Sequence, residues 1–171
     1  MALMPKKRRA FTLTEMLVTT MLLTLLASLA LTNYTRTVEN AKATAALAKA
    51  DAMAHALRMY NVDRRSWLSG TLSQACNTGA CGGGGPCDLL RCRNFPPENW
   101  DDLAYVFTLC PQGAAACGNN PNRVVVAAAR KTKANCPACP NTTSSSTYGK
   151  WGYDVRADGS IATSGSAPTP P

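Results

Sequence analysis

The sequence predicts an α+β protein: one long N-terminal helix packed on a small antiparallel sheet of three or four strands, with disulfide-tied loops. Three observations carry this expectation. No proline or glycine interrupts the chain from Ala10 to Ser69. Short β-prone runs bounded by turn residues appear only beyond residue 100. All eight cysteines lie beyond residue 75, in the part of the chain that follows the helix.

The helix is expected from about Phe11 to Asn61. Lys6, Lys7, Arg8 and Arg9 form a basic leader that stops at Ala10. From Phe11 to Leu31 the only charge is Glu15. At about 1.5 Å rise per residue this apolar run is roughly 30 Å long, the thickness of a bilayer's hydrocarbon core. Thr20, Thr24, Ser28 and Thr32 recur every four residues along one ridge. They suit close helix–helix packing, or they bond carbonyls of their own helix. Farther on, Val38, Ala41, Ala45, Ala48, Ala52, Ala56 and Met59 follow a helical spacing, widened by Met53, Leu57 and Tyr60. This stripe is the face expected to pack on the sheet. His55, the single histidine, reads as a bystander on the helix.

Residues 66–100 read as loop. Gly82–Gly85 are not followed by Lys-Ser/Thr, so they do not form a phosphate-binding loop. Pro96-Pro97 stops any helix, and residues 98–103 suit a short helical turn that packs Trp100 inward. Strands are expected at Ala104–Leu109, Arg123–Arg130, Lys150–Arg156 and Ser160–Thr163, the last two joined by an Asp158-Gly159 turn. The division by residue number is then a leader (1–10), an apolar helix half (11–34), an amphipathic helix half (35–62), a cysteine-rich head (63–163) and a disordered or extended tail (164–171).

The formal charge of +8 points to no nucleic-acid partner, because four of its charges belong to the leader. The densest remaining cluster, Arg130-Lys131-Thr132-Lys133, reads as a solvated edge. A positive flank before an apolar run keeps the N-terminus cytoplasmic and sends the head across the inner membrane. The even cysteine count fits disulfides in an oxidising compartment: Cys76, Cys81, Cys87, Cys92, Cys110, Cys117, Cys136 and Cys139, with pairing open. Cys136-Pro137-Ala138-Cys139 is a C-x-x-C without the helix that would activate a redox thiol. The spacing of the other cysteines lacks a second metal knuckle. No enzyme, cofactor or metal is expected.

Arg9-Ala10 followed by Phe11-Thr12-Leu13-Thr14-Glu15-Met16 and the long apolar run resembles the N-terminal signal of type IV pilins and type II secretion pseudopilins. The long helix, small sheet and cysteine-rich head are similar to that family's plan. The resemblance implies cleavage by prepilin peptidase between Ala10 and Phe11, and N-methylation of Phe11. It implies residence in the inner membrane as a single-pass protein with a periplasmic head. An assembly platform would then extract the chain into a filament with copies of itself or related pilins, at the cell surface or in the periplasm. Glu15 would pair with a neighbour's Phe11 amine and so set the subunit register. Two positions depart from the pattern: Ala10 stands where glycine is usual, and Thr32 stands where many pilins have proline. The expected function is a pilus-like filament subunit. Alternatives within the family are a secretion pseudopilin or a minor pilin, including one for DNA uptake. The alternative from another class is a disulfide-rich periplasmic binding protein, signal-anchored or secreted by cleavage after Ala30.

Overall fold

The structure is a computed structural model that describes residues 12–110, 124–135 and 147–169, apart from the side chain of Thr32. Helix α1 spans Leu13–Arg64. After it come β1 (Gly70–Thr71), a 3-10 turn at Gln74–Asn77, α2 (Asp88–Arg91), β2 (Tyr105–Leu109), β3 (Val124–Arg130), a 3-10 turn at Thr147–Lys150, β4 (Gly152–Arg156) and β5 (Ile161–Ser164). The five strands form an antiparallel meander in chain order. The chain divides into two units, residues 1–39 and 40–171, and α1 contributes to both.

In the second unit, α1 buries Ala43, Ala46, Leu47, Ala50, Met53, Ala54, Ala56, Leu57 and Tyr60 in the same core as the sheet. This corrects the phase of the expected stripe. Ala41, Ala45, Ala48, Ala52 and Met59 lie on the exposed side, and of that set only Ala56 is buried. Alanine occupies both faces of this helix, so small size does not tell the two apart. The larger residues decide the matter: Leu47, Met53, Leu57 and Tyr60 remove the most apolar surface from water.

The strand boundaries fall within two residues of expectation, because alternation marks them well. In β2, Tyr105, Phe107 and Leu109 face the core while Val106 and Thr108 are half-exposed. Across the sheet Phe107 pairs with Ala128 and Ala128 with Tyr153, so a small residue separates two aromatic rings. Leu109, Val126 and Val155 form the next row. A register shift between Val124 and Val126 puts an extra residue into β3, and all three valines are buried. Such a bulge explains why this run does not alternate. A fifth strand, β1, was not expected; its two residues pair with Leu109 and Thr108 at the sheet's edge.

Residues 66–100 are the expected disulfide-tied loop region, but more closely packed than a flexible loop. Leu68, Leu72, Leu89, Leu90 and Phe95 are buried there. Disulfides Cys76–Cys87 and Cys81–Cys92 interlock across the segment. Between them the Asp88 carboxylate, 1% exposed, accepts backbone N–H bonds from Gly82 (3.2 Å), Gly83 (3.3 Å) and Gly84 (2.8 Å). Gly82 and Gly84 take φ of 114° and 72°, a conformation open to glycine at no steric cost. Successive amides turned inward in this way make an anion cradle, and the anion is the chain's own carboxylate. Burial pushes the Asp88 carboxyl upward, but the amides of Gly84, Gly82 and Gly83, helped by Arg91, outweigh it and hold the pKa below the usual 3.8.

Trp100 points inward as expected, but from a turn and not from a helix. Its N–H donates to Gln74 Oε1 (2.9 Å), its indole N–H donates to Asn77 Oδ1 (3.0 Å), and its ring meets Phe107 edge-on. The basic cluster is corrected too. Arg130 and Lys131 are 3% and 2% exposed and are not a solvated edge. Lys131 Nζ donates to the carbonyls of Trp100 (2.6 Å) and Asp101 (2.9 Å); Arg130 donates to the carbonyl of Ala104 (2.6 Å) and lies over the Tyr105 ring. The two cations thus pin the end of β3 to the turn before β2. Beyond β5, Ala167 is buried and the Pro168 carbonyl accepts a bond from the Tyr153 hydroxyl (3.2 Å). Residues 164–169 are therefore tied to the sheet, where a disordered or extended tail was expected. A side chain at Gly165, where φ is 64°, would collide with the Lys150 carbonyl.

Candidate functional site

In the first unit, Thr12 precedes α1 and Glu15 lies in its first turn. The Thr12 backbone N–H donates to Glu15 Oε2 (2.9 Å), and the Thr12 hydroxyl donates to the same oxygen (2.9 Å). In return, the Glu15 backbone N–H donates to Thr12 Oγ1 (3.3 Å). This reciprocal pattern is a capping box, which satisfies two of the donors that every helix start leaves without a partner. The carboxylate also sits at the positive end of the helix dipole. Glu15 therefore has partners within its own chain, where the sequence reading left it waiting for a neighbour. Thr12-x-x-Glu15 is the sequence signature of this box, masked by the apolar run that follows it.

Beyond the cap, α1 offers nothing but side chains to its surroundings. Eleven large apolar residues from Leu13 to Leu31 are each more than half exposed. At about 1.5–3 kcal/mol for each such side chain, covering them is worth on the order of 15–30 kcal/mol. Soluble monomers rarely expose that much contiguous apolar surface, and this face suits lipid or other helices. Among the described residues, α1 is the one helix long and apolar enough to cross a membrane. The hydroxyl ridge is partly satisfied inside the helix: Thr20 donates to the Leu17 carbonyl (3.0 Å) and Thr24 to that of Met21 (2.8 Å). These are bonds to the third residue back, so the threonines can present their methyl groups outward without leaving a hydroxyl unpaired in lipid.

The family model that matches the chain is the prokaryotic N-terminal methylation motif, over residues 5–31. Residues 5–31 are a prepilin-type signal. No curated protein and no solved structure matches the chain. The signal supports a type IV pilin-like or pseudopilin protein, and it implies a membrane-associated substrate of prepilin peptidase. With the long apolar helix, it fits an inner-membrane anchor. Within this signal the structure places Glu15 in the capping box; Ala10 and Phe11, the expected cleavage and methylation positions, lie outside the described residues.

Of the cysteines, Cys76, Cys81, Cys87 and Cys92 are paired as given above, and Cys110 is also disulfide-bonded. Cys117, Cys136 and Cys139 lie outside the described residues. Among the described residues no group of three His, Cys, Asp or Glu side chains could hold a metal ion. His55 is exposed, with its Nε2 3.8 Å from Asp51 Oδ2 one turn back.

Proposed function

We propose that this chain is a structural, non-catalytic subunit of a type IV pilus-like filament. It is cut between Ala10 and Phe11, methylated on the Phe11 amine and assembled through its N-terminal helix. The observation that carries the reading is the prepilin-type signal on an apolar helix that has no cover of its own. Before assembly the helix anchors the protein in the inner membrane with its head on the periplasmic side. In the filament, the helices of other copies replace lipid.

The capping box refines the part played by Glu15. Both of its side-chain bonds fall on Oε2, and among the described residues nothing hydrogen-bonds Oε1. A neighbour's Phe11 amine would then bind Oε1 without breaking the box, which holds the carboxylate at a fixed height on the helix. Only one axial stagger brings amine and carboxylate together, so the pair selects the register while apolar packing supplies cohesion. Buried charges in lipid are costly unless paired, and this favours the same register. On the head half of α1, a second seam remains exposed. Ala41, Ala45, Ala48, Ala52, His55, Met59 and Val62 alternate spacings of four and three, and Met59 and Val62 are 65% and 78% exposed. Such a seam suits a neighbouring helix at close range. The disulfide-tied head favours a pilus over a secretion machine as the assembly.

Replacing Glu15 with Val tests the reading. The variant is expected to insert and be cleaved as the wild type is, yet to be lost from purified filaments. Filaments of normal abundance containing Glu15→Val would refute the pairing role.

A further inference from the structure

The two interlocked disulfides of the head differ in their surroundings. Cys76 is fully buried, and its bond to Cys87 lies against the core residues of the second unit. Cys81 is exposed at the surface, on the rim of the tetraglycine segment. The guanidinium of Arg64, in the last turn of α1, donates to Cys81 Sγ at 3.6 Å. A disulfide sulfur carries no charge that would call for a cation, so the contact does not complete an ion pair in the oxidised protein. It does place a positive charge where a thiolate would arrive. Thiol–disulfide exchange is governed by access to the attacked sulfur and by the electrostatics around the three sulfurs in line. Cations beside a cysteine favour the thiolate form that reacts.

We propose that Cys81–Cys92 is a thiol–disulfide exchange site of the head for small thiols, with Cys81 Sγ as the attacked sulfur and Arg64 as the group that draws the thiolate in. The thiolate's electron pair forms a new S–S bond to Cys81, the Cys81–Cys92 bond breaks, and its electron pair leaves on Cys92 Sγ, which takes a proton from water. A second thiolate, attacking the sulfur of the first, would release Cys81; the net change is one disulfide reduced and two thiols oxidised. Opening this bond unties the Cys81 end of the segment whose amides cradle Asp88. Cys76–Cys87 still holds the other end.

The test uses the full-length chain in detergent micelles, with glutathione as the thiol and an acid quench. Peptide mass mapping then identifies which cysteine carries glutathione. The expected product has glutathione on Cys81 and a free thiol on Cys92, formed at least about tenfold faster than any product at Cys76 or Cys87. Arg64→Gln is expected to slow the Cys81 reaction about three- to tenfold at low salt, with the gap narrowing as salt rises, while Arg64→Lys keeps most of the rate. The Cys76–Cys87 rate in the same molecule is the internal reference, since general destabilisation would raise both. Equal or faster opening of Cys76–Cys87, glutathione on Cys92 in place of Cys81, or an unchanged rate in Arg64→Gln would each overturn the proposal.

Discussion

Replacing Asp88 with Ala removes the anion around which residues 82–84 are folded. Three amide N–H groups then lose a charged acceptor, at 2.8–3.3 Å in the wild type. Each bond to a charged group is worth about 1.5–3 kcal/mol, but the glycines are exposed enough for water to replace part of that. A net loss of about 2–4 kcal/mol is expected. Urea unfolding of the full chain in micelles, with its disulfides intact, measures it. Amide hydrogen exchange at Gly82, Gly83 and Gly84 is expected to quicken in the same variant. The pH dependence has a definite sign. The carboxyl's pKa is lower folded than unfolded, so its contribution is complete above 3.8 and is lost as pH falls through the folded value. Asp88→Asn should remove that acid-side component. A loss under about 0.5 kcal/mol, with exchange unchanged, would refute the cradle as a source of stability.

Ala50 is fully buried where α1 meets the sheet. Ala50→Leu should cost about 1–3 kcal/mol by overpacking, while Ala48→Leu on the exposed seam should leave unfolding unchanged and instead weaken filament assembly. Lys131→Ala strips the donor from the Trp100 and Asp101 carbonyls and should lower stability by about 1–3 kcal/mol in thermal or urea unfolding. Burial holds the Lys131 pKa below 10.5, so in the wild type this residue's contribution should improve as pH rises through the window just under that value.

Helix and strands were legible because each has a period that burial enforces. The helix runs to Arg64 instead of Asn61, and the four expected strands are all present. The phase of the helix was not legible. With alanine on every side, composition names no buried face, and the sheet selects the one that carries Leu47, Met53 and Leu57. Residues 66–100 were legible as a disulfide-tied loop, but their packing and cysteine pairing were not, for a different reason. Their order comes from two disulfides and one carboxylate binding amides, and neither leaves a periodic trace. Arg130 and Lys131 misled because two adjacent cations suggest water, whereas here backbone carbonyls of the 100–104 turn replace it. At the candidate site, Glu15 stood out as the one charge in the apolar run, but its partner within the chain, Thr12, was missed.

The central claim is that the mature protein begins at a cleaved and methylated Phe11. Intact-mass and N-terminal peptide analysis of the protein from its native cells tests this most directly. The account predicts a chain that starts at Phe11 and carries one methyl group on its amine. A mature chain starting at Leu31, or one that retains Met1 and the basic leader, would contradict it.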